Sequence, residues 1–223
     1  MTRTALLVGA TGLVGGRCLA RLLEDPTWSR VRVLTRRPTG AAHTRLEEVV
    51  LDLAPERLAA SAALVRGDDL LCCLGTTIKV AGSQAAFRRV DHDLVVEVAR
   101  LARAGGARRL ALVSSVGADP TSRSFYLRTK GEAERDVAAL GYECVEVMRP
   151  SFLVGERAER RRGEALALCA SSALAGLLLG PTRRYRPIRA DAVAGAMIAA
   201  LKRGAPGVHV REFAELEALA RSG

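Results

Sequence analysis

A doubly wound parallel α/β sheet with a small helical cap at its C-terminal end is the fold this sequence predicts. Three observations carry that expectation. Short apolar runs alternate with longer stretches of helical spacing through the first two thirds of the chain. Those runs are nearly continuous, as in strands covered on both faces. A glycine-rich turn, "VGATGLVGG", joins the first run to the first helical stretch.

Taken in order, Thr4–Val8 reads as a buried strand and Gly12–Leu23 as a helix with Leu13, Val14, Leu19, Leu22 and Leu23 on one side. Val31–Leu34 and a short Val49–Leu51 follow as strands. Pro55–Leu64 reads as a short helix, its proline at the first turn where a missing N–H costs nothing. Asp69–Leu74 is the fourth strand. A long helix from Ser83 to Ala104 is stopped by Gly105 and Gly106. Leu110–Val113 is a strand, Phe125–Leu140 a helix halted by Gly141, and Cys144–Met148 a strand ended by Pro150. Beyond it, helical spacing over Gly163–Leu179 and Ala190–Leu201, a short strand at Val208–Val210 and a terminal amphipathic helix remain. The chain reads as one domain, 1–223, with 151–223 supplying the cap over the substrate side.

Composition removes several function classes. The first apolar run begins three residues from Met1, with no basic region ahead of it and no small-residue cleavage site, which argues against a secretory signal. The longest apolar stretch, Ala165–Leu179, would span roughly 22 Å as a helix, short of a bilayer core of about 30 Å. No membrane span is therefore expected; the stretch fits a core helix or a dimer face. The five cysteines (Cys18, Cys72, Cys73, Cys144, Cys169) and three histidines show no zinc spacing. They read as reduced core thiols of a cytoplasmic protein, with Cys72 and Cys73 on opposite faces of their strand. The net charge of +10 comes from 34 basic residues, 31 of them arginine, spread along the chain apart from 156–164 and 182–189. Such a field attracts polyanions in a salt-dependent way. No nucleic-acid motif accompanies it, so no specific nucleic-acid partner is expected.

The chemistry begins at the turn. Gly9, Gly12 and Gly15 are spaced G-x-x-G-x-x-G between strand and helix. The first glycine allows a sharp turn, the second lets the backbone approach a pyrophosphate, and the third lets the helix pack on the sheet. Free amides and the positive end of the helix dipole then face phosphate oxygens. No Gly-Lys-Ser/Thr follows, which rules out a Walker loop. At the end of the second strand, where a carboxylate would hold the ribose 2′-hydroxyl of NAD, the chain has Thr35, Arg36 and Arg37. Arginines there suit the 2′-phosphate, so NADPH is expected over NADH.

A second motif sits on the helix after the fifth strand. Tyr126 and Lys130 are four apart and share a helical face. An ammonium near a phenol favours the phenolate, and a tyrosine so placed can act as general acid toward a carbonyl oxygen. Ser114 and Ser115 end the preceding strand, where a hydroxyl can share charge developing on that oxygen.

With "VGATGLVGG", "SSVGAD" and "YLRTK" on the page, the chain resembles the atypical branch of the short-chain dehydrogenase/reductase superfamily. "CCLGTT", "FRRVDHDLV", "ARAGGARR" and "RPSFLVGER" make it similar, over roughly residues 4–200, to Tat-interacting-protein-like oxidoreductases. The resemblance implies a Rossmann fold that binds NADPH, with the tyrosine as proton donor. Carried over by position, Gly9, Thr11, Gly12, Leu13, Val14 and Gly15 would line the pyrophosphate, and Arg36 and Arg37 would meet the 2′-phosphate. Asp52 and Leu53 would flank the adenine, and Leu74, Gly75 and Thr76 the middle of the cofactor. Tyr126 and Lys130 would form the catalytic pair, with Arg149, Pro150 and Ser151 beside the nicotinamide. Classical members of the superfamily place the active serine thirteen residues before the tyrosine, and that position here is Val113. The choice between Ser114 and Ser115 stays open, with Ser115 favoured.

The expected function is NADPH-dependent reduction of a small carbonyl-type substrate. The alternative is an NADPH-sensing regulator with little or no turnover. Only about seventy residues follow Pro150, so a small cap is expected, completed in part by a second subunit if the protein is a homodimer.

Overall fold

The computed structural model describes residues 2–154 and 180–222. The helix expected over 163–179, the basic run 156–164 and Cys169 lie outside the described residues. Strand β1 (Arg3–Val8) leads through the glycine turn into α1 (Leu13–Glu24), β2 (Trp28–Thr35) and β3 (Leu46–Val50). Helix α2 (Pro55–Ala60) closes in a 3-10 turn, Ala62–Leu64, before β4 (Asp69–Cys72). Short helices α3 (Ile78–Ala81) and α4 (Gln84–Arg88) follow. The latter runs through a π-helical turn, Arg89–Asp93, into α5 (Leu94–Ala104). Then come β5 (Arg109–Val113), α6 (Phe125–Ala138), β6 (Cys144–Met148), β7 (Leu153–Val154) and β8 (Ile188–Arg189). The chain closes with α7 (Ala190–Arg203), β9 (Gly207–Arg211) and α8 (Phe213–Arg221).

Seven strands pair in the order β3-β2-β1-β4-β5-β6-β9, every pair parallel. Because successive side chains point to opposite faces, β1 feeds two cores. Ala5 and Leu7 join Val14, Leu22, Trp28 and Met197 under α1 and α7, while Leu6 and Val8 join Leu70, Val98, Leu110 and Val145 under α5 and α6. Cys72 lies in the second core and Cys73 packs against the first, on opposite faces as expected. The strand order reverses between β1 and β4, which opens a crevice at their C-terminal ends.

The C-terminal region is helical, as expected, but only part of 151–223 stands outside the layers. Strand β9 is the seventh strand of the sheet, and α7 is buried along ten residues against the α1 side. What stands over the C-terminal sheet edge is the two-stranded β7–β8 ladder, joined Leu153 to Ile188 and Val154 to Arg189. The expected long helix is interrupted by the π turn, which spacing alone does not reveal.

At the N-terminal end of the central strand β4, Asp69 is fully buried. Trp28 Nε1 donates to its Oδ2 over 2.6 Å, and the guanidiniums of Arg3 and Arg109 each lie 3.2 Å away. Burial outweighs these partners and pushes the carboxyl up to about 6.

Candidate active site

The turn after β1 is built so that only glycine fits at two of its three positions. Gly9 has φ +86°, and a Cβ there would lie 2.5 Å from the Cys73 carbonyl oxygen at the end of β4. A Cβ on Gly15 would lie 2.1 Å from the Gly9 oxygen, so the first turn of α1 rests directly on the loop. Gly12 is extended, caps α1 without a side chain, and donates its N–H to Gly9 O over 2.9 Å. Thr11 and Gly12 are exposed, Leu13 is half-buried, and Val14 points into the core. The bare helix N-terminus thus opens at the crevice with no acidic residue in its first turn. That cradle, which side chains would fill, fits a dinucleotide pyrophosphate.

The other expected cofactor residues of this part of the chain follow the C-terminal ends of β2, β3 and β4. Arg36 and Arg37 are exposed just past β2, and neither guanidinium has a partner among the described residues. Asp52 is exposed after β3 and accepts the Ala54 N–H at 3.1 Å, while Leu53 is buried. Leu74 and Thr76 are half-buried and Gly75 exposed, one strand over from the glycine turn.

Lys130 is fixed by a residue that the motif search did not single out. Its Nζ lies 2.8 Å from Asp91 Oδ1, and both side chains are buried. Asp91 Oδ2 accepts the Thr76 N–H over 2.9 Å, while Oδ1 has no other hydrogen-bond partner among the described residues. Burial opposes the Lys130 charge, but the Asp91 carboxylate more than offsets this and holds the ammonium above the usual lysine range. The π turn is what brings Asp91 inward. His92, next along it, meets Asp93 at 2.8 Å and Asp136 of α6 at 2.9 Å, pinning the turn to the helix that carries Lys130. Tyr126 is half-buried near the start of α6, its ring 5.4 Å from that of fully buried Phe87.

The two serines divide by strand alternation. Ser114 is buried, and its hydroxyl donates to Glu134, which lies two helical turns beyond Tyr126 on α6. Arg149 forks onto the same carboxylate, Nε at 3.0 Å and Nη2 at 2.5 Å. Both groups are thereby engaged in joining the ends of β5 and β6 to α6. Among the described residues the half-buried Ser115 hydroxyl has only a long contact to the Val116 carbonyl, 3.4 Å. The Val116 N–H reaches the Pro150 carbonyl at 3.0 Å, and the Ser151 hydroxyl donates to the Arg186 carbonyl. Helix α6 meets the serine loop at Gly131, where a Cβ would lie 2.3 Å from both Asp119 C and Pro120 N. Residue spacing gave no sign of Gly131 or Glu134, because both act through atoms far away in sequence.

A family model described as NAD(P)H-binding matches residues 9–167. The chain belongs to the NAD(P)H-binding family. Among relatives, the protein named fmp52, mitochondrial, of Aspergillus fumigatus is 40% identical over 164 residues, 71% of this chain and 70% of that one. Protein HTATIP2 of Rattus norvegicus is 38% identical over 169 residues, 74% of this chain and 69% of that one. These relatives bear out the resemblance to the atypical short-chain dehydrogenase/reductases. The fold is also that of a UDP-N-acetylglucosamine 4-epimerase from Methanobrevibacter ruminantium (TM-score 0.70, 15% identity, 95% of this chain and 76% of that one). It is likewise that of MoeE5, solved in complex with UDP-glucose and NAD (TM-score 0.68, 16% identity, 98% and 81%).

One expectation is corrected by these relatives of the NAD(P)H-binding family. A cytoplasmic location was inferred from reduced thiols and the missing secretory signal, yet several relatives are named mitochondrial. Reduced thiols do not separate one reducing compartment from another, so the inference lacked a physical basis. No helix among the described residues is long and apolar enough to cross a membrane.

Proposed function

We propose that this protein is an NADPH-dependent oxidoreductase that reduces a small carbonyl-type substrate. The observation that carries the reading is the Lys130–Asp91 pair, a buried ammonium held in place one helical turn from Tyr126 beside the dinucleotide crevice. A positive charge buried at that cost has a use next to a phenol that gives up a proton. The bound nicotinamide would supply hydride. Tyr126 holds the proton for the substrate oxygen, Lys130 favours the phenolate that remains, and Ser115 donates a hydrogen bond to the same oxygen. Ser115 is favoured over Ser114 because the Ser114 hydroxyl is engaged by Glu134. Arg36 and Arg37, without a partner among the described residues and standing where an acid would select NAD, would fork onto the 2′-phosphate.

Calorimetric titration with NADPH and NADH, followed by a screen of quinones, aldehydes and ketones for loss of NADPH absorbance, tests the reading. NADPH is expected to bind at least about tenfold more tightly than NADH, a preference lost in Arg36→Ala/Arg37→Ala. Tyr126→Phe should lower turnover by about 100-fold or more with NADPH affinity unchanged. No association with either nucleotide, or full turnover in Tyr126→Phe, overturns it. NADPH binding without turnover of any carbonyl would point instead to a cofactor-sensing regulator.

A further inference from the structure

Three sulfur atoms from distant parts of the chain meet behind the glycine turn. Cys18 Sγ on α1 is 3.9 Å from Cys73 Sγ at the end of β4 and 3.8 Å from Met197 Sδ on α7. Cys73 Sγ is 4.0 Å from the same thioether. The triangle is nearly equilateral, so the point equidistant from its corners is about 2.25 Å from each sulfur, a side divided by √3. A metal–thiolate bond is about 2.3 Å long. We propose that Cys18, Cys73 and Met197 form a trigonal binding site for one copper(I) ion.

The donor chemistry selects that ion. Thiolate and thioether are soft ligands that favour copper(I), which accepts three donors. Zinc asks for four ligands in a tetrahedron. Among the described residues no group of three His, Cys, Asp or Glu side chains is placed to hold a metal, so the thioether is what completes the set. Cys18 and Met197 are fully buried in the apolar cluster under α1 and α7, with Cys73 packed against it. Copper(I) cancels one of the two thiolate charges, so one net charge is buried there rather than two. Cys73 is the half-buried member of the set. On binding, the S–H bonds of Cys18 and Cys73 break, two Cu–S bonds form and both protons pass to solvent. Met197 donates a lone pair, and no electron is transferred.

The test uses the reduced full chain under anaerobic conditions, titrated with copper(I) supplied as its bicinchoninate complex. One equivalent should move to the protein, and X-ray absorption should show three sulfurs at about 2.25 Å. Cys18→Ser and Met197→Leu should each weaken retention by about tenfold or more. The leucine change conserves volume and leaves the fold intact, as thermal unfolding will verify. The variant Cys72→Ser/Cys144→Ser/Cys169→Ser should retain copper as the parent does. The proposal is overturned if the chelator keeps all the copper, if Met197→Leu binds as tightly as the parent, or if the triple variant loses the metal.

Discussion

Replacing Asp91 by asparagine removes one charge from a buried pair while keeping an oxygen to accept the Thr76 N–H. The Lys130 ammonium is then left buried without its counter-charge, which costs about 3–5 kcal/mol. In a chain of this length each kcal/mol moves the melting temperature by roughly 2–4 °C, so Asp91→Asn should melt about 10 °C below the parent at pH 7. The pH dependence separates this cause from a general loosening. In the parent, Lys130 is held above its usual range, so the pair stabilises the fold fully below the unfolded lysine pKa and is lost only as pH rises through the folded value. In Asp91→Asn burial, the largest influence on the lysine, is no longer offset by a carboxylate, and the sign reverses. The folded chain then favours the neutral amine, and stability recovers as pH climbs toward the unfolded lysine value of about 10.4. Urea unfolding followed by the fluorescence of Trp28, the single and fully buried tryptophan, should show the gap shrinking between pH 7 and 10. Adding Lys130→Met should restore most of the loss at pH 7. A gap under 1 kcal/mol at pH 7, or one constant with pH, refutes the argument.

Three further outcomes are expected. Asp69 binds its proton more tightly folded than unfolded, so stability should fall by about 3 kcal/mol as pH rises from about 4 through 6, and Asp69→Asn should flatten that slope in urea titrations. Gly131→Ala sets a methyl against the Asp119–Pro120 backbone, which cannot yield without moving the serine loop. A loss of about 3 kcal/mol is expected by thermal unfolding, and near-parental stability would mean that α6 and the loop are not in contact. Ser115→Ala should lower turnover by about 100-fold with stability unchanged. Ser114→Ala should cost about 1–3 kcal/mol of stability, through the bond Glu134 loses, and little turnover; the reverse pattern would assign the active hydroxyl to Ser114.

The sequence by itself determined the layers and the first crossover. Apolar runs and glycine stops depend on neighbouring residues, so the strands from Thr4 to Met148 were legible to within a few residues. Gly9 and Gly15 could be read for the same reason, since a turn and the helix it opens are local. Tyr126 and Lys130 were legible because four residues on a helix always share a face. Tertiary structure alone decided what those residues touch. Asp91 reaches Lys130 only because a π turn shifts the helix face, and Glu134 gathers Ser114 and Arg149 across two strand ends. Strand β9 joins the sheet beside β6, where a short half-exposed run carries no pattern that fixes its partner. The sulfur triangle draws on positions 18, 73 and 197, brought together by packing over the sheet. Local sequence encodes backbone conformation, whereas contacts between remote side chains exist only after the layers have closed on one another.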